Sequence, residues 1–239
     1  MSETPFAGQL ALVTGASKGI GAATAEAVAA AGAHVVLTGR DVKALEAVED
    51  RIFAAGGHAT IAPVDLAELD GIARLAAAVN GRWQALDIMV INAAVLPQLS
   101  SVTDIDSQAF NKALTINLLA TQALLAAFDP LLRKSEDARI IGMTSSVATK
   151  PRAFWGAYAA SKAAFEVLLD CYAQEVKNIS NIRVAIVDPG ATRTAMRARA
   201  FPGEDPASVK LPEVVAARMV TLLGEQFATG TRESIKVLS

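Results

Sequence analysis

Tyr158 and Lys162 lie four residues apart in the alanine-rich run GAYAASKAAF, residues 156–165. On a helix that spacing sets a phenol and an ammonium one turn apart on the same face. A positive charge beside a phenol favours the phenolate, so the pair suits proton transfer. A free tyrosine, with a pKa near ~10, is a poor base at neutral pH. Taken alone, such a pair is more often a solvated surface pair. Two further positions bear on the question. Ser145 and Ser146 follow the aliphatic run RIIGMT, where a hydroxyl would stand at a strand end. Asn117 falls on an apolar stripe of Phe110, Ala113, Leu114, Leu118, Leu124, Leu125 and Phe128, where a leucine is expected. A buried amide left unbonded costs roughly 1–3 kcal/mol. Asn117 is therefore either a satisfied core asparagine or a member of the site.

A second constellation lies near the start, in VTGASKGIGAATAEAVAAAGAHVVLTGR. It reads as strand, glycine-rich turn, helix and second strand. Gly15, Gly19 and Gly21 allow a tight turn and close backbone approach to a pyrophosphate. The free N–H groups opening the helix supply donors and a positive dipole end. The spacing, Gly-x3-Gly-x-Gly, differs from the commonest dinucleotide fingerprint, Gly-x-Gly-x2-Gly. The β-α-β context favours a dinucleotide over a turn without a ligand. At the tip of the second strand an NAD site commonly carries an acid for the ribose 2′-hydroxyl. This chain has Thr38-Gly39-Arg40, so Arg40 with Lys18 would clamp a 2′-phosphate. NADP(H) is favoured over NAD(H), and Asp41 suits a helix N-cap.

The elements that must hold these residues are legible as alternation. Short aliphatic runs at 9–14, 34–38, 59–64, 87–92, 139–144, 183–188 and 233–238 read as strands, and most lack polar alternation. Continuous apolar runs suit strands buried on both faces, as in a parallel sheet. Helical patterns at 20–31, 41–55, 66–79, 105–131, 153–178 and 212–224 separate them. The expectation is an α/β fold, a single-domain, Rossmann-type doubly wound parallel sheet of about seven strands flanked by helices on both faces. One domain spans residues 1–239. The segment 190–211, rich in Arg, Gly and Pro, follows a strand's carboxyl end and reads as a substrate lid. Its Arg193, Arg197 and Arg199 would meet an acidic substrate, face water or approach the cofactor phosphates.

Composition narrows the class further. Hydrophobic residues make up 52% and charged residues 19%, a globular balance. With 22 basic and 24 acidic residues the net charge is −2, which argues against a nucleic-acid surface or a polybasic membrane anchor. A single cysteine, Cys171, excludes an intrachain disulfide, and two histidines, His34 and His58, argue against a zinc site, so no metal is expected. The opening MSETPFAGQL lacks a basic n-region and does not read as a signal peptide. The apolar stretches are expected to be broken by charges and glycines before they reach the length of a membrane span. A cytoplasmic protein is the expectation.

In order along the chain stand Thr14-Gly15-Ala16-Ser17-Lys18-Gly19-Ile20-Gly21, Asp65, Asn92-Ala93-Ala94, Asn117, Ser145, Tyr158-x3-Lys162 and Pro189-Gly190-x3-Thr194. This ordered set, with Ser145 thirteen residues before Tyr158, resembles the single-domain branch of the short-chain dehydrogenase/reductase family across essentially the whole chain. The resemblance implies an NADP(H)-dependent oxidoreductase that interconverts a carbonyl and an alcohol by hydride transfer. Tyr158 is then the general acid/base, and Ser145 bonds the same substrate oxygen. Lys162 lowers the tyrosine pKa and bonds the nicotinamide ribose, while Asn117 supports a water linking Lys162 to solvent. Gly15, Ser17, Ile20 and their neighbours line the pyrophosphate and ribose. Asp65 meets the adenine, and Asn92 lies along the adenosine. Pro189, Gly190 and Thr194 hold the carboxamide end. The family's usual Asn-Asn-Ala-Gly is Ile91-Asn92-Ala93-Ala94 here, which puts cofactor geometry and affinity in doubt more than reaction type. Family members pack the helices matching 105–131 and 153–178 into homodimers or homotetramers. The alternatives are a non-catalytic redox sensor that binds a dinucleotide, and a scaffold subunit. The substrate class stays open among fatty-acyl, small ketone, sugar and steroid-like compounds.

Overall fold

The computed structural model describes residues 4–235. Seven strands form one parallel sheet: β1 (Leu10–Thr14), β2 (His34–Gly39), β3 (His58–Pro63), β4 (Ile88–Ile91), β5 (Arg139–Met143), β6 (Arg183–Asp188) and β7 (Thr231–Ser234). Their order across the sheet is β3-β2-β1-β4-β5-β6-β7. Strands are added outward from β1 in both directions, so the chain changes direction between β1 and β4. Open α/β sheets bind their ligands in the crevice beyond the strand ends at such a switch.

Strands β1, β4 and β5 are buried at every position, which explains their unbroken apolar character. Side chains alternate between two faces along each strand. Ala11, Val13, Val35 and Leu37 face one layer, formed by α1 (Gly19–Ala30), α2 (Val42–Ala54) and α8 (Pro212–Gly224). Leu10, Leu12, Val36 and Met89 face the other, formed by α3 (Leu69–Asn80), α5 (Ala120–Leu132) and α6 (Gly156–Val176). Gly142 sets how closely α6 lies on the sheet. A Cβ there would stand 2.2 Å from Leu169 Cδ1 and 2.9 Å from Phe165 Cζ. Only a glycine in β5 lets the Tyr158 helix settle onto the strand that leads to Ser145.

Four expectations need correction. The final strand is Thr231–Ser234 and not 233–238; positions 236–238 lie outside the described residues. As an edge strand it pairs only with β6 and alternates in exposure, so an apolar run does not mark it. The 105–131 helix is not a regular α-helix. Ser107–Leu132 contains α4 (Ser107–Leu114), a π-helical turn at Thr115–Leu119 and then α5. Charge does not break this helix early, because it is long and apolar enough in composition to span a bilayer. Its Ala113, Ile116, Leu124, Leu125, Phe128 and Leu131 are instead buried in the protein. Finally, 190–211 is not all loop: it contains the short helix α7 (Ala195–Ala200) and a 3-10 turn at Pro206–Ser208.

Candidate active site

Beyond the ends of β1 and β4 runs a groove of about 310 Å³. It is lined by Gly15, Ser17, Lys18, Gly19, Ile20, Arg40, Asp65, Asn92, Tyr158, Lys162, Pro189 and Thr194, twelve of the residues expected to bind a cofactor. The glycine loop is held from β4. The Asn92 amide donates to Thr14 O at 2.9 Å, and Thr14 Oγ1 accepts from the N–H groups of Asn92 and Ala93 at 3.0 Å. Gly21 is not in the lining. A Cβ on it would come within 2.2 Å of Gly15 O, so it lets the first turn of α1 sit against the loop, while Gly15 takes φ +67°. Helix α1 opens at Lys18 without a side-chain cap, which leaves its first N–H groups free for an anion. The glycine cradle, uncapped helix end and flanking hydroxyl and cationic groups fit a dinucleotide.

At the far end of the groove Arg40 Nη1 lies 3.7 Å from Asp65 Oδ2, with both side chains well exposed. So long and wet an ion pair contributes little, and the guanidinium remains available. Asp41 caps α2 by accepting from Ala44 N at 3.1 Å, as its position suggested. Ile91 is buried in the apolar core, and Thr14 makes the cross-strand bonds there, donating to Val90 O at 3.4 Å. Ala94 lines the groove, so its methyl faces the space the family's glycine leaves open.

Tyr158 and Lys162 are not a surface pair: they are 7% and 2% exposed. Lys162 Nζ donates to Met143 O at 2.6 Å and packs over the Phe165 ring. Burial pulls its pKa down to about 8 against the opposing charge of Glu166. The Tyr158 phenol moves opposite to expectation. Burial first, and Asp188 second, push it above its ordinary value, so the protein groups alone hold it protonated. Depressing it takes positive charge nearer the phenol than these groups supply. Asn117 is 1% exposed and fully used: it donates to Val95 O at 3.0 Å and Ser161 Oγ at 2.9 Å, and accepts from Val95 N at 2.8 Å. It lines neither the groove nor the adjoining cavity, and among the described residues no hydrogen bond joins it to Lys162.

A second cavity, about 240 Å³, adjoins the groove; Tyr158, Thr144, Ile20, Pro189, Thr194 and Met196 line both. Ser145 and Gly190 line this second chamber and not the groove. Its walls are mainly apolar: Leu96, Val147, Met196, Ala200, Trp155 and Phe201. Trp155 meets the Tyr158 ring edge-on at 6.1 Å and Phe201 at 5.7 Å, so an aromatic wall runs from the phenol to the segment 190–211. The segment 190–211 is tied at its base, where Arg193 N donates to Lys210 O at 2.8 Å and Thr192 bridges Lys210. Its three arginines are all engaged. Arg193 bonds Pro206 O at 2.6 Å, Arg197 makes a two-bond pair with Glu204 at 2.5 and 2.6 Å, and Arg199 bonds Leu96 O. Thr194, which lines the groove, caps α7 by accepting from Arg197 N at Oγ1, 3.1 Å away, and its hydroxyl keeps its own proton to donate.

A larger cavity, about 630 Å³, is lined by residues at the amino ends of the strands, His34, His58, Trp83, Asp87 and Arg139 among them. It shares no lining residue with the site. Asp87 accepts from Leu10 N and Ser135 Oγ, and Arg139 bonds Leu223 O and Asp137, so its buried polar groups are already paired. Around the Tyr158–Lys162 pair the sequence reading missed Trp155, Phe201, Thr144, Asp188 and Glu166. Of these Glu166 had a usable signal: it lies four residues after Lys162, on the same helical face.

A glycine-cradled groove at the switch point of an all-parallel sheet, ending at a buried Tyr–Lys pair, defines an open-sheet enzyme of Rossmann type. The family model described as short chain dehydrogenase matches residues 9–205. The oxidoreductase YciK of Escherichia coli K12 is 36% identical over 220 residues, covering 91% of this chain and 86% of that one. A solved short chain dehydrogenase from Pseudomonas syringae superposes with a TM-score of 0.94 at 37% identity, over 97% of this chain and 96% of that one. Another, from Shigella flexneri 2a and complexed with NADP, gives 0.93 at 34% identity, over 98% and 99%. The chain belongs to the short-chain dehydrogenase/reductase family and is an oxidoreductase of that family.

Proposed function

We propose that the protein interconverts a carbonyl and an alcohol with NADP(H), using Tyr158 as general acid/base. The observation that carries this reading is the placement of the Tyr158 phenol on the wall shared by the groove and the second chamber, where Ser145 also faces. When bound, the nicotinamide supplies or accepts the hydride. The chain's residues do the rest. Gly15, Ser17, Gly19, Ile20 and the opening turn of α1 hold the pyrophosphate, while Arg40 and Lys18 take the 2′-phosphate. Asp65 and Asn92 flank the adenosine, and Pro189, Gly190 and Thr194 border the nicotinamide end. The Shigella relative solved with NADP supports the phosphate-bearing cofactor.

In the reductive direction the Tyr158 hydroxyl gives its proton to the carbonyl oxygen, and the Ser145 hydroxyl donates a hydrogen bond to that oxygen as charge develops. The Lys162 ammonium favours the phenolate that remains. The mainly apolar and aromatic chamber supports a compact, mainly apolar carbonyl substrate over a carboxylate or acyl thioester: Arg197 lines it but is paired with Glu204, and Arg193 and Arg199 are bonded to backbone carbonyls. The segment 190–211 acts as the lid over it. We further read the protein as a homo-oligomer formed through α4–α5 and α6, which expose Leu119 and Val167, and as a cytoplasmic enzyme.

The test is NADPH consumption by the purified protein across a panel of ketones and aldehydes. Tyr158→Phe is expected to lower kcat roughly 100- to 10,000-fold with NADPH binding retained. A Tyr158→Phe variant as active as the parent would sink the mechanism. Tight NADPH binding with no turnover of any carbonyl would favour the redox sensor.

A further inference from the structure

We propose that Glu166 is a positioning residue of this site: with Lys162 it clamps the end of β5 and thereby fixes where Ser145 stands relative to Tyr158. The inference rests on the catalytic reading above. Tyr158, Lys162 and Glu166 recur every four residues on one face of α6. That face meets the end of β5, where Met143, Thr144 and Ser145 follow one another. Two successive side chains of the helix grip two successive residues of the strand end. Lys162 Nζ donates to Met143 O at 2.6 Å, and Thr144 Oγ1 donates to Glu166 Oε1 at 2.6 Å. Ser145 is the next residue.

The carboxylate is 5% exposed, and a buried charge persists only where it is matched. Its second oxygen accepts from Arg232 Nη1 of β7 at 2.5 Å, and Arg232 Nη2 reaches Asp170 on α6 at 2.5 Å. The charged groups around it are therefore Lys162 and Asp170 from its own helix and Arg232 from β7. Thr144, from the end of β5, is neutral, and Asp188 at the end of β6 acts on Tyr158. Glu166 is also the one charge opposing the effect of burial on Lys162. A purely structural role would be a staple of β7 onto α6 through Arg232. The Thr144 contact serves no such purpose, because it points inward to the residue before Ser145.

Three full-length variants separate the two roles: Glu166→Gln, Thr144→Val and Arg232→Met. Glutamine removes the charge and, with one oxygen and one NH2 in place of two oxygens, cannot accept from both Thr144 and Arg232, so the clamp is loosened; valine removes the hydroxyl and keeps the charge. Both are expected to lower kcat about tenfold with KM for NADPH nearly unchanged, since small misplacements of reacting groups are costly. Glu166→Gln alone is expected to lower the midpoint of the Lys162 titration by about one pH unit, because an opposite charge nearby favours the ammonium. That midpoint is read by side-chain NMR of lysine-labelled protein, with Lys162→Met for assignment, and needs no turnover. Arg232→Met, which leaves the Thr144 contact in place, is expected to lower the melting temperature and to lower kcat less than either of the other two variants. Parental kcat in both Glu166→Gln and Thr144→Val, or an unmoved Lys162 midpoint in Glu166→Gln, overturns the proposal. Should Glu166→Gln not fold, kcat of the near-isosteric Thr144→Val decides. An active Tyr158→Phe protein would refute the catalytic reading instead, so the two failures are distinguishable.

Discussion

Replacing Lys162 with methionine is expected to abolish turnover and yet to stabilise the fold at neutral pH. The ammonium is 2% exposed, and burial takes its pKa from an ordinary 10.5 to about 8. At roughly 1.4 kcal/mol for each pKa unit, holding that charge inside the protein costs the folded state about 3 kcal/mol. Methionine is of similar length and carries no charge. The loss on the other side is the 2.6 Å bond to Met143 O, and a carbonyl left without its donor costs about 1–2 kcal/mol. Glu166 keeps Thr144 and Arg232 and so is not stranded. The balance is a gain of about 1–2 kcal/mol, or a melting point raised by about 2–8 °C in a chain of this size. The pH dependence has a definite sign. Below pH 8 the lysine is charged in both states and the full penalty is present. Between about 8 and 10.5 the unfolded chain binds more protons, so the parent gains stability as pH rises. The advantage of Lys162→Met should therefore be largest at pH 7 and nearly gone or reversed by pH 10. Thermal unfolding of both proteins at the two pH values, beside an activity assay, checks it. A variant that melts below the parent at pH 7, or a gap that does not shrink with pH, refutes the reasoning.

Arg40→Ala should raise KM for NADPH roughly 10- to 100-fold, the loss of one charge-assisted bond at about 1.5–3 kcal/mol, and leave KM for NADH unchanged. Because the 3.7 Å Arg40–Asp65 pair contributes little, its melting point should hold; equal losses with both cofactors would rule out a 2′-phosphate role. Light scattering at micromolar concentration should give a dimeric or tetrameric mass. The double variant Leu119→Glu, Val167→Glu should shift it to the monomer, since both side chains are about half exposed or more, at 47% and 62%; an unchanged mass would place the interface elsewhere.

The sheet was readable because parallel strands buried on both faces carry unbroken aliphatic runs, which place six of the seven strands within a residue or so. The seventh was misplaced because an edge strand pairs on one side only and shows no such run. The short helix α7 was hidden for a related reason: its six residues, AMRARA, have no apolar stripe, and its start depends on the Thr194 cap. The glycine loop, Arg40, Ser145, Tyr158 and Lys162 were readable because each carries its chemistry in its type and spacing. Charge pairing was not. Arg197 finds Glu204 seven residues on, and Arg199 reaches Leu96 O across 103 residues, so the basic groups of 190–211 are engaged on folding. The depression expected for Tyr158 also assumed that a lysine one turn away dominates its surroundings, whereas burial and Asp188 outweigh it among the protein's own groups.

Asn117 shows why two readings of one residue need not be rivals. An asparagine on an apolar stripe must have every polar atom matched or it costs the fold roughly 1–3 kcal/mol. The π turn at Thr115–Leu119 adds a residue to the helical repeat, and Asn117 lies within that turn, at a position a regular stripe would give to leucine. There the amide meets both backbone groups of Val95, which follows the groove-lining Ala93 and Ala94, and the hydroxyl of Ser161. Ser161 in turn donates to Tyr158 O at 2.8 Å. Satisfying the core asparagine thus runs a continuous hydrogen-bonded path from the loop after β4, through α4–α5, to the backbone of the residue that carries the phenol. A side chain that only filled the core would not need its partners on those two segments. Asn117 is bonded in full because it joins the groove wall to α6, and it can join them because it is bonded in full.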